Sequence, residues 1–540
     1  MFKKILVIVS IILAIYSFAG CGESTGFLGG DIEEEKDMVT SSEIYIPIDK
    51  IRTLNPVITK DEDAYYIDKL IYEGLFGLDE NLALVNVLAD SFSYGEWGYS
   101  VNIKIKENIK WHDGQAFTAE DVKFSIESYI YAVNSGSSMY SSYVNNIKQV
   151  KLDKDNPNIV QVFFINNNNI SMENFIFPII PKHQFNGVAS VKLLSQGFIP
   201  IGTGPYKLVE YNELTHIILK GNETYHTGNI PKNTMNFQIM PNKLDAINLM
   251  DMNNISLIIS KGIDRDTIYT NKNVNVVPFA SNEVEFVGFN FRSNIMKNKK
   301  VRKAIAYSID VEEIVNAGYF KNGILNDTIY YPNYLGIESS EIQYKFDVTN
   351  SQKLLTEAGY IDRDGDGIVE NSNNEKLIIN ILVNSEDQQR IAAAHIIKNG
   401  LDKLPIQSYI IYKDWSAYNT DLSLGEFDIF IGGFQIKENY DLRNMLHTDY
   451  LNVIGYSNPT LDILLDKMES GLSNTDKVNT FSKIKDILNE DLPYFCLLYK
   501  TYGAIASPAL QGDIEPYFNN LYHGCEKWTC VYEKPKVVEE

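Results

Sequence analysis

Residues 101–129 read VNIKIKENIKWHDGQAFTAEDVKFSIESY, from Val101 to Tyr129, and the rest of the chain is most easily read outward from them. Val101, Ile103 and Ile105 alternate with Asn102, Lys104 and Lys106, the period of two expected of a strand with one buried face. His112-Asp113-Gly114 supplies turn chemistry, because Gly tolerates positive φ and Asp can bond its own backbone. Thr118 stands three residues before Asp121, and Phe117 and Val122 flank that pair, which is the pattern of a capping box with a hydrophobic staple. Val122, Ile126, Tyr129 and Ile130 then recur at helical spacing. A strand, a tight turn and a capped helix form a structural unit that asks for no catalysis.

At 540 residues the chain exceeds one ordinary core, so two or three lobes are expected. Strand patterns mix with helix patterns throughout, which points to α/β lobes. The formal charge is −22, and no stripe of Lys and Arg offers a nucleic-acid footprint. At the N-terminus, Lys3 and Lys4 precede an apolar run from Ile5 to Phe18, followed by Ala19-Gly20-Cys21. That is the order of an export signal, and the run falls short of the ~20 apolar residues that span a bilayer. Ala-Gly-Cys resembles the lipobox of bacterial lipoproteins, although Phe18 stands where Leu is usual. The resemblance implies cleavage before Cys21 and lipidation of its thiol. The following Gly, Ser and acid-rich stretch to Thr40 reads as a tether. Cys525 and Cys530 are close enough in sequence to pair outside the cell, and Cys496, within YFCLLY, reads as a buried small hydrophobe.

Further blocks recur along the chain: TLNPV with IYEGLF between Thr53 and Phe76, PIGTGPY at Pro200–Tyr206, LKGNETY at Leu219–Tyr225, and EFVGFNFRSNIMKNKKVRKAIAYSID at Glu285–Asp310. Then come LLTEAGY ending at Tyr360, GEFD at Gly425–Asp428, NVIGYSNPTLD at Asn452–Asp462 and PYFCLLY at Pro493–Tyr499. Together with WHDGQAFTAEDVKFSIES, in this order and spacing, they resemble the family 5 extracellular solute-binding proteins. These are the oligopeptide-, dipeptide- and nickel-binding lipoproteins that feed ABC importers. The resemblance implies a two-lobe periplasmic-binding-protein-like α/β fold (type II, cluster C) with a third domain inserted in the first lobe.

The organisation expected is a signal peptide over 1–20, a tether over 21–42, lobe I from 43–78, 195–285 and 500–532, an inserted domain over 79–194, lobe II over 286–499 and a tail over 533–540. The implied protein is a monomer, lipid-anchored at the outer face of the bacterial cytoplasmic membrane. It would close by hinge motion on a small solute, first of all a peptide, and pass it to ABC permease subunits. A sensor of the same fold, and a sugar or metal chelate in place of peptide, stay open.

Enzyme signatures are lacking: the sequence contains no H-E-x-x-H and no Walker motif. His112-Asp113 reads as a turn, and no cofactor is implied. The loop YAVNSGSSMYSSY at Tyr131–Tyr143 reads as a solvated connection, and Arg302 and Lys303 read as surface charges. DRDGDG places Asp362, Asp364 and Asp366 at alternate positions with Gly367 sixth, as in a calcium loop, and a structural calcium on these three acids stays open, although the twelfth position is Asn373 and the usual bidentate Glu is missing there.

The family resemblance directs attention to Trp415–Leu446. Gly432, Gly433 and Phe434 occupy the place of the family's Gly-Trp pocket loop, and Trp415 stands where an aromatic residue of peptide binders approaches the ligand. Family peptide binders carry an acid three residues after the pocket Trp, facing the peptide ammonium, and here that position is Lys437. An Arg three residues before it is replaced by Ile431. A standard zwitterionic clamp is therefore not expected. Glu438 or Asp441 would have to substitute, or Lys437 would receive a carboxylate.

Overall fold

The computed structural model describes residues 38–533 apart from 96–97, 137, 139, 168, 194–197, 253, 262–272, 340–342 and 439. Residues 40–532 form one unit; of the other, 1–39 with 533–540, only residues 38, 39 and 533 are described. The expected signal peptide, Cys21, most of the tether and nearly all of the tail therefore lie outside the described residues.

The opening stretch folds as its pattern requires. Val101, Ile103 and Ile105 are buried on one face of the strand Ser100–Ile105, the second strand of an antiparallel four-stranded sheet. The helix Ala119–Asn134 follows. The Thr118 backbone N–H and hydroxyl both donate to the Asp121 carboxylate at 2.9 Å, so the capping box forms. The other Asp121 oxygen accepts from the Lys182 N–H at 2.8 Å, which pins a distant segment to the same helix end.

The turn between strand and helix docks on the PIGTGPY segment, so two separate sequence blocks meet. His112 Nδ1 accepts from the Gly202 N–H at 3.2 Å, and its Nε2 lies 3.0 Å from the Gly204 carbonyl. An acceptor at Nδ1 and a donor at Nε2 describe a neutral ring. Burial, the largest influence, accordingly holds His112 below the ordinary imidazole value. Gly202 is required on packing grounds, since a Cβ there would sit 1.8 Å from the Ile71 carbonyl oxygen. The segment runs directly into the strand Tyr206–Asn212, as a structural turn does.

Two long strands carry the chain between the lobes. Asn275–Phe289 and Tyr494–Ala506 run antiparallel within a mixed sheet. Phe279, Tyr502 and Ala504 on them join one hydrophobic core, whereas Val287, Phe289, Phe495 and Leu497 join another. The register shifts between Ala280 and Val284 and again between Glu285 and Phe286. Such bulges loosen the ladder and bend the strand locally, which suits the point where one lobe turns into the next.

Several expectations are corrected here. Arg302 is 2% exposed: its guanidinium donates to the carbonyls of Met296 and Lys297 and of Asp491, and it stacks 4.3 Å from the Phe291 ring centroid. Backbone carbonyls take its hydrogen bonds, and the nearby Asp491 charge partly offsets the cost of burial. Tyr140 and Tyr143 are buried, so their loop is no solvated connection. Cys525 and Cys530 are free thiols; the first lies 3.6 Å from the Tyr206 hydroxyl and the second 3.4 Å from that of Ser256. Each is turned to its own partner in the core.

Candidate functional site

The site forms where the strand Ile429–Gln435 leaves the sheet. That strand pairs with Asn275–Phe289, Gln435 opposite Glu283 at the bulge. The Ile436 N–H donates to the Asn282 carbonyl at 2.8 Å, and the Asn282 amide donates back to the Ile436 carbonyl at 3.0 Å. The segment after Phe434 is therefore tied to the crossing itself.

Two cavities flank this segment and share Ser142, Gln435, Ile436 and Lys437. The first, about 570 Å³, lies between Phe434–Lys437 and Tyr440–Met445 of lobe II and an amide-rich wall of Asn145, Asn146, Asn166 and Asn169 from the inserted domain. The second, about 450 Å³, is faced by Lys60, Glu62, Tyr65 and Tyr66 at the head of the lobe I helix Glu62–Ile71, and by Tyr143, Lys261 and Tyr502. Volumes in this range suit small organic ligands held by aromatic faces and a few polar groups.

At the seam, Glu438 accepts short hydrogen bonds from the hydroxyls of Tyr65 and Tyr143. One carboxylate thus joins two tyrosines that lie 373 and 295 positions away in the chain. Burial alone would raise the acid, but the charge of Lys69 and the two phenols outweigh it and hold Glu438 below its ordinary value. Lys69 sits 4.4 Å over the Tyr65 ring and donates to the Asn519 carbonyl at 2.7 Å; burial lowers it to about 8 despite Glu438.

The acids considered as substitutes for an ammonium clamp are both engaged. Glu438 holds the two tyrosines, and Asp441 takes the Arg443 guanidinium side-on at 2.9 and 2.7 Å. Glu62 is paired with Lys261 at 2.8 Å. Lys437 is different: it lines both cavities, is exposed, and its ammonium has no hydrogen-bond or ion-pair partner among the described residues.

The other residues singled out from sequence are placed as follows. Phe434 lines the first cavity and packs 5.8 Å from Phe286. Gly432 and Gly433 lie in the strand behind it, where a Cβ on Gly432 would meet the Phe430 ring at 2.7 Å. One on Gly433 would lie 2.6 Å from Glu285 Oε1 and 2.8 Å from Arg390 Nη2. The smallness of Gly432 makes room for an aromatic ring, and that of Gly433 for a buried ion cluster. There Arg390 clasps Glu285 at 2.8 and 3.0 Å while Lys500 approaches Glu285 at 3.2 Å. Burial opposes the Arg390 charge, yet Glu285 holds it above its ordinary value. Trp415 is not brought to either cavity; it opens the helix Trp415–Leu424, 53% exposed and stacked on Tyr418 at 5.7 Å. Sequence reading missed Tyr65 and the asparagine wall. Tyr140 and Tyr143, spaced three apart, were the available signal for a buried helical turn.

The residues from 83 to 455 match the family described as bacterial extracellular solute-binding proteins, family 5 (middle region). The chain belongs to this family. It is 24% identical to the oligopeptide-binding protein AppA of Bacillus subtilis, an alignment covering 98% of each chain. It is likewise 24% identical to the glutathione-binding protein GsiB of Escherichia coli K12, over 85% of this chain and 89% of that one. Among solved structures, the unliganded open form of the periplasmic murein tripeptide-binding protein MppA superposes with a TM-score of 0.76 at 16% identity, covering 92% of this chain and 99% of that one. The two-lobe family 5 fold is thereby established, and with it the coarse function of a solute-binding protein. No helix among the described residues is long and apolar enough to cross a membrane.

Proposed function

We propose that this family 5 member is the extracytoplasmic, lipid-anchored binding component of an ABC importer, and that it captures a peptide carrying an anionic group for Lys437. The observation that carries the reading is the division of charge in the cleft: every acid considered there is engaged within the protein, and Lys437 lines both cavities with no ion-pair partner among the described residues. An ammonium placed against it would meet like charge, whereas a carboxylate would gain a charge-assisted hydrogen bond. The amide wall and the tyrosines suit a peptide backbone, with water filling the rest. Closure then follows from a ligand touching both lobes, because only differential affinity for the closed form can shift the equilibrium. The names of AppA, GsiB and MppA, for an oligopeptide, glutathione and a tripeptide, support the peptide class.

Native mass spectrometry of the purified protein identifies any ligand that co-purifies. A thermal-shift panel of acidic peptides, neutral peptides, sugars and nickel chelates then ranks the classes. A saturating ligand at a hundred times its Kd adds about 2.7 kcal/mol. Stabilisation by a sugar or chelate and by no peptide overturns the peptide reading. For the anchor, Cys21→Ala is expected to abolish incorporation of a labelled fatty acid into the protein; unchanged labelling overturns lipidation at that thiol.

A further inference from the structure

The acidic loop at Asp362–Gly367 lies in lobe II, apart from the cleft, and the structure supplies the ligand that its sequence lacked. The loop closes as a hairpin: Ile361 and Glu370 pair as an isolated antiparallel bridge, with backbone bonds in both directions at 3.1 and 3.2 Å. That closure returns Glu370 to the mouth of the loop. One carboxylate oxygen from each of Asp362, Asp364 and Glu370 lies within 4.8 Å of the other two.

Glu370 differs from its neighbours. Asp362 and Asp364 are exposed, as acids on a turn usually are, but Glu370 is 3% exposed. One of its oxygens accepts from the Arg363 N–H at 2.7 Å, while Oε2 is buried with no hydrogen-bond partner. A buried carboxylate oxygen left without a donor carries a desolvation cost that a protein ordinarily avoids. The nearby cations do not relieve it. The Arg363 guanidinium points at the carbonyls of Glu370 and Asn371, at 2.6 and 2.8 Å, and Lys376 is committed to Asp366, 3.7 Å from Asp364. Four carboxylates set against these two cations leave the neighbourhood two negative charges in excess.

We propose that Asp362, Asp364 and Glu370 hold a calcium ion, with Asp366 joining when Lys376 gives way. The donors are all oxygen, as a hard cation requires, and Glu370 stands ninth from Asp362, a ligand position of calcium loops, in place of the missing Glu at the twelfth. Mg2+ is disfavoured, because it demands a regular octahedron and surrenders its water reluctantly. Lys376 competes with the ion for Asp366.

The test is thermal unfolding of the mature protein, stripped with EDTA and titrated with CaCl2 or MgCl2. Ca2+ is expected to raise Tm saturably with a half-effect between about 0.1 and 1 mM, the range of exposed extracellular modules, and Mg2+ at equal concentration to raise it by less than half as much. Asp364→Asn, an exposed change that keeps the fold, moves the Ca2+ half-effect upward at least tenfold. Glu370→Gln removes the response, and Lys376→Met moves the half-effect downward. A flat wild-type titration to 10 mM, or the same curve for wild type and Asp364→Asn, overturns the site.

Discussion

Tyr143 of the inserted domain donates its hydroxyl to the carboxylate of Glu438 in lobe II, 295 positions along the chain. With Tyr65 on the other oxygen, this single acid gathers three parts of the molecule at the seam between the cavities. Hydrogen bonds to a charged group contribute about 1.5–3 kcal/mol each, so Tyr143→Phe is expected to shift the lobes toward a more open distribution. Small-angle scattering of the ligand-free variant then gives a larger radius of gyration than wild type. An unchanged radius would assign the tyrosine to packing alone.

The same acid sets a pH dependence. Glu438 is held below the ordinary Glu value of 4.5, so its contribution is fully present above that pH and is lost as pH falls toward the folded value. Denaturant unfolding from pH 6 down to pH 3 is expected to show less loss in Glu438→Gln than in wild type. Parallel curves would remove Glu438 from the acid response.

His112 titrates with the opposite charge. Its folded value lies below 6.5 because the buried ring is neutral, so stability is full above about pH 6.5 and falls as pH drops toward the folded value, where the unfolded chain binds the proton first. His112→Gln is expected to flatten the stretch between pH 6.5 and 5 in urea unfolding. Because His112 binds Gly202 and Gly204, the variant also loses stability at pH 7.5, which separates its constant cost from the pH-dependent one.

Much of this scaffold was legible because its signals are local. The alternation of Val101, Ile103 and Ile105 and the Thr118–Asp121 box act over a few residues, and both appear in the structure as the spacing requires. Arg302 was misread because charged side chains are usually exposed; its partners are carbonyls at helix and loop ends, which no residue type announces. In the cleft, the sequence pointed to Phe434, Lys437, Glu438 and Asp441, which line the cavities, but not to what Glu438 and Asp441 bind. The Tyr65, Tyr143 and Glu438 convergence joins positions from three separate parts of the chain, so spacing carries no trace of it. Gly433 was noticed for its place in a motif, whereas its physical reason is the Glu285–Arg390 pair behind it.

That pair carries a stability prediction. Glu285 is 2% exposed and is met by Arg390 through two parallel bonds. Removing one partner leaves a buried charge uncompensated, a loss of about 3–5 kcal/mol. Arg390→Met is expected to lower the urea midpoint accordingly, with Lys500 limiting the damage from 3.2 Å. The double change Glu285→Gln with Arg390→Met should recover part of that loss, since neither residue is then left charged and alone. A double variant no more stable than Arg390→Met would show that the pair matters through shape and not charge.

Lys437 gives the sharpest handle on selectivity. Its ammonium lines both cavities without a partner, so Lys437→Met removes the charge and keeps most of the length. For an acidic peptide that wild type binds, the lost charge-assisted hydrogen bond, worth about 1.5–3 kcal/mol, corresponds to a roughly 10- to 150-fold rise in Kd. Neutral peptides should change little. Lys437→Asp goes further and restores an acid three residues after Phe434, so free-amine peptides are expected to gain affinity while acidic ones lose it. Calorimetry on matched peptides, free or blocked at each end, reads both effects. Equal losses for blocked and unblocked ligands would place Lys437 on the rim of the cleft, with no part in choosing the ligand's charge.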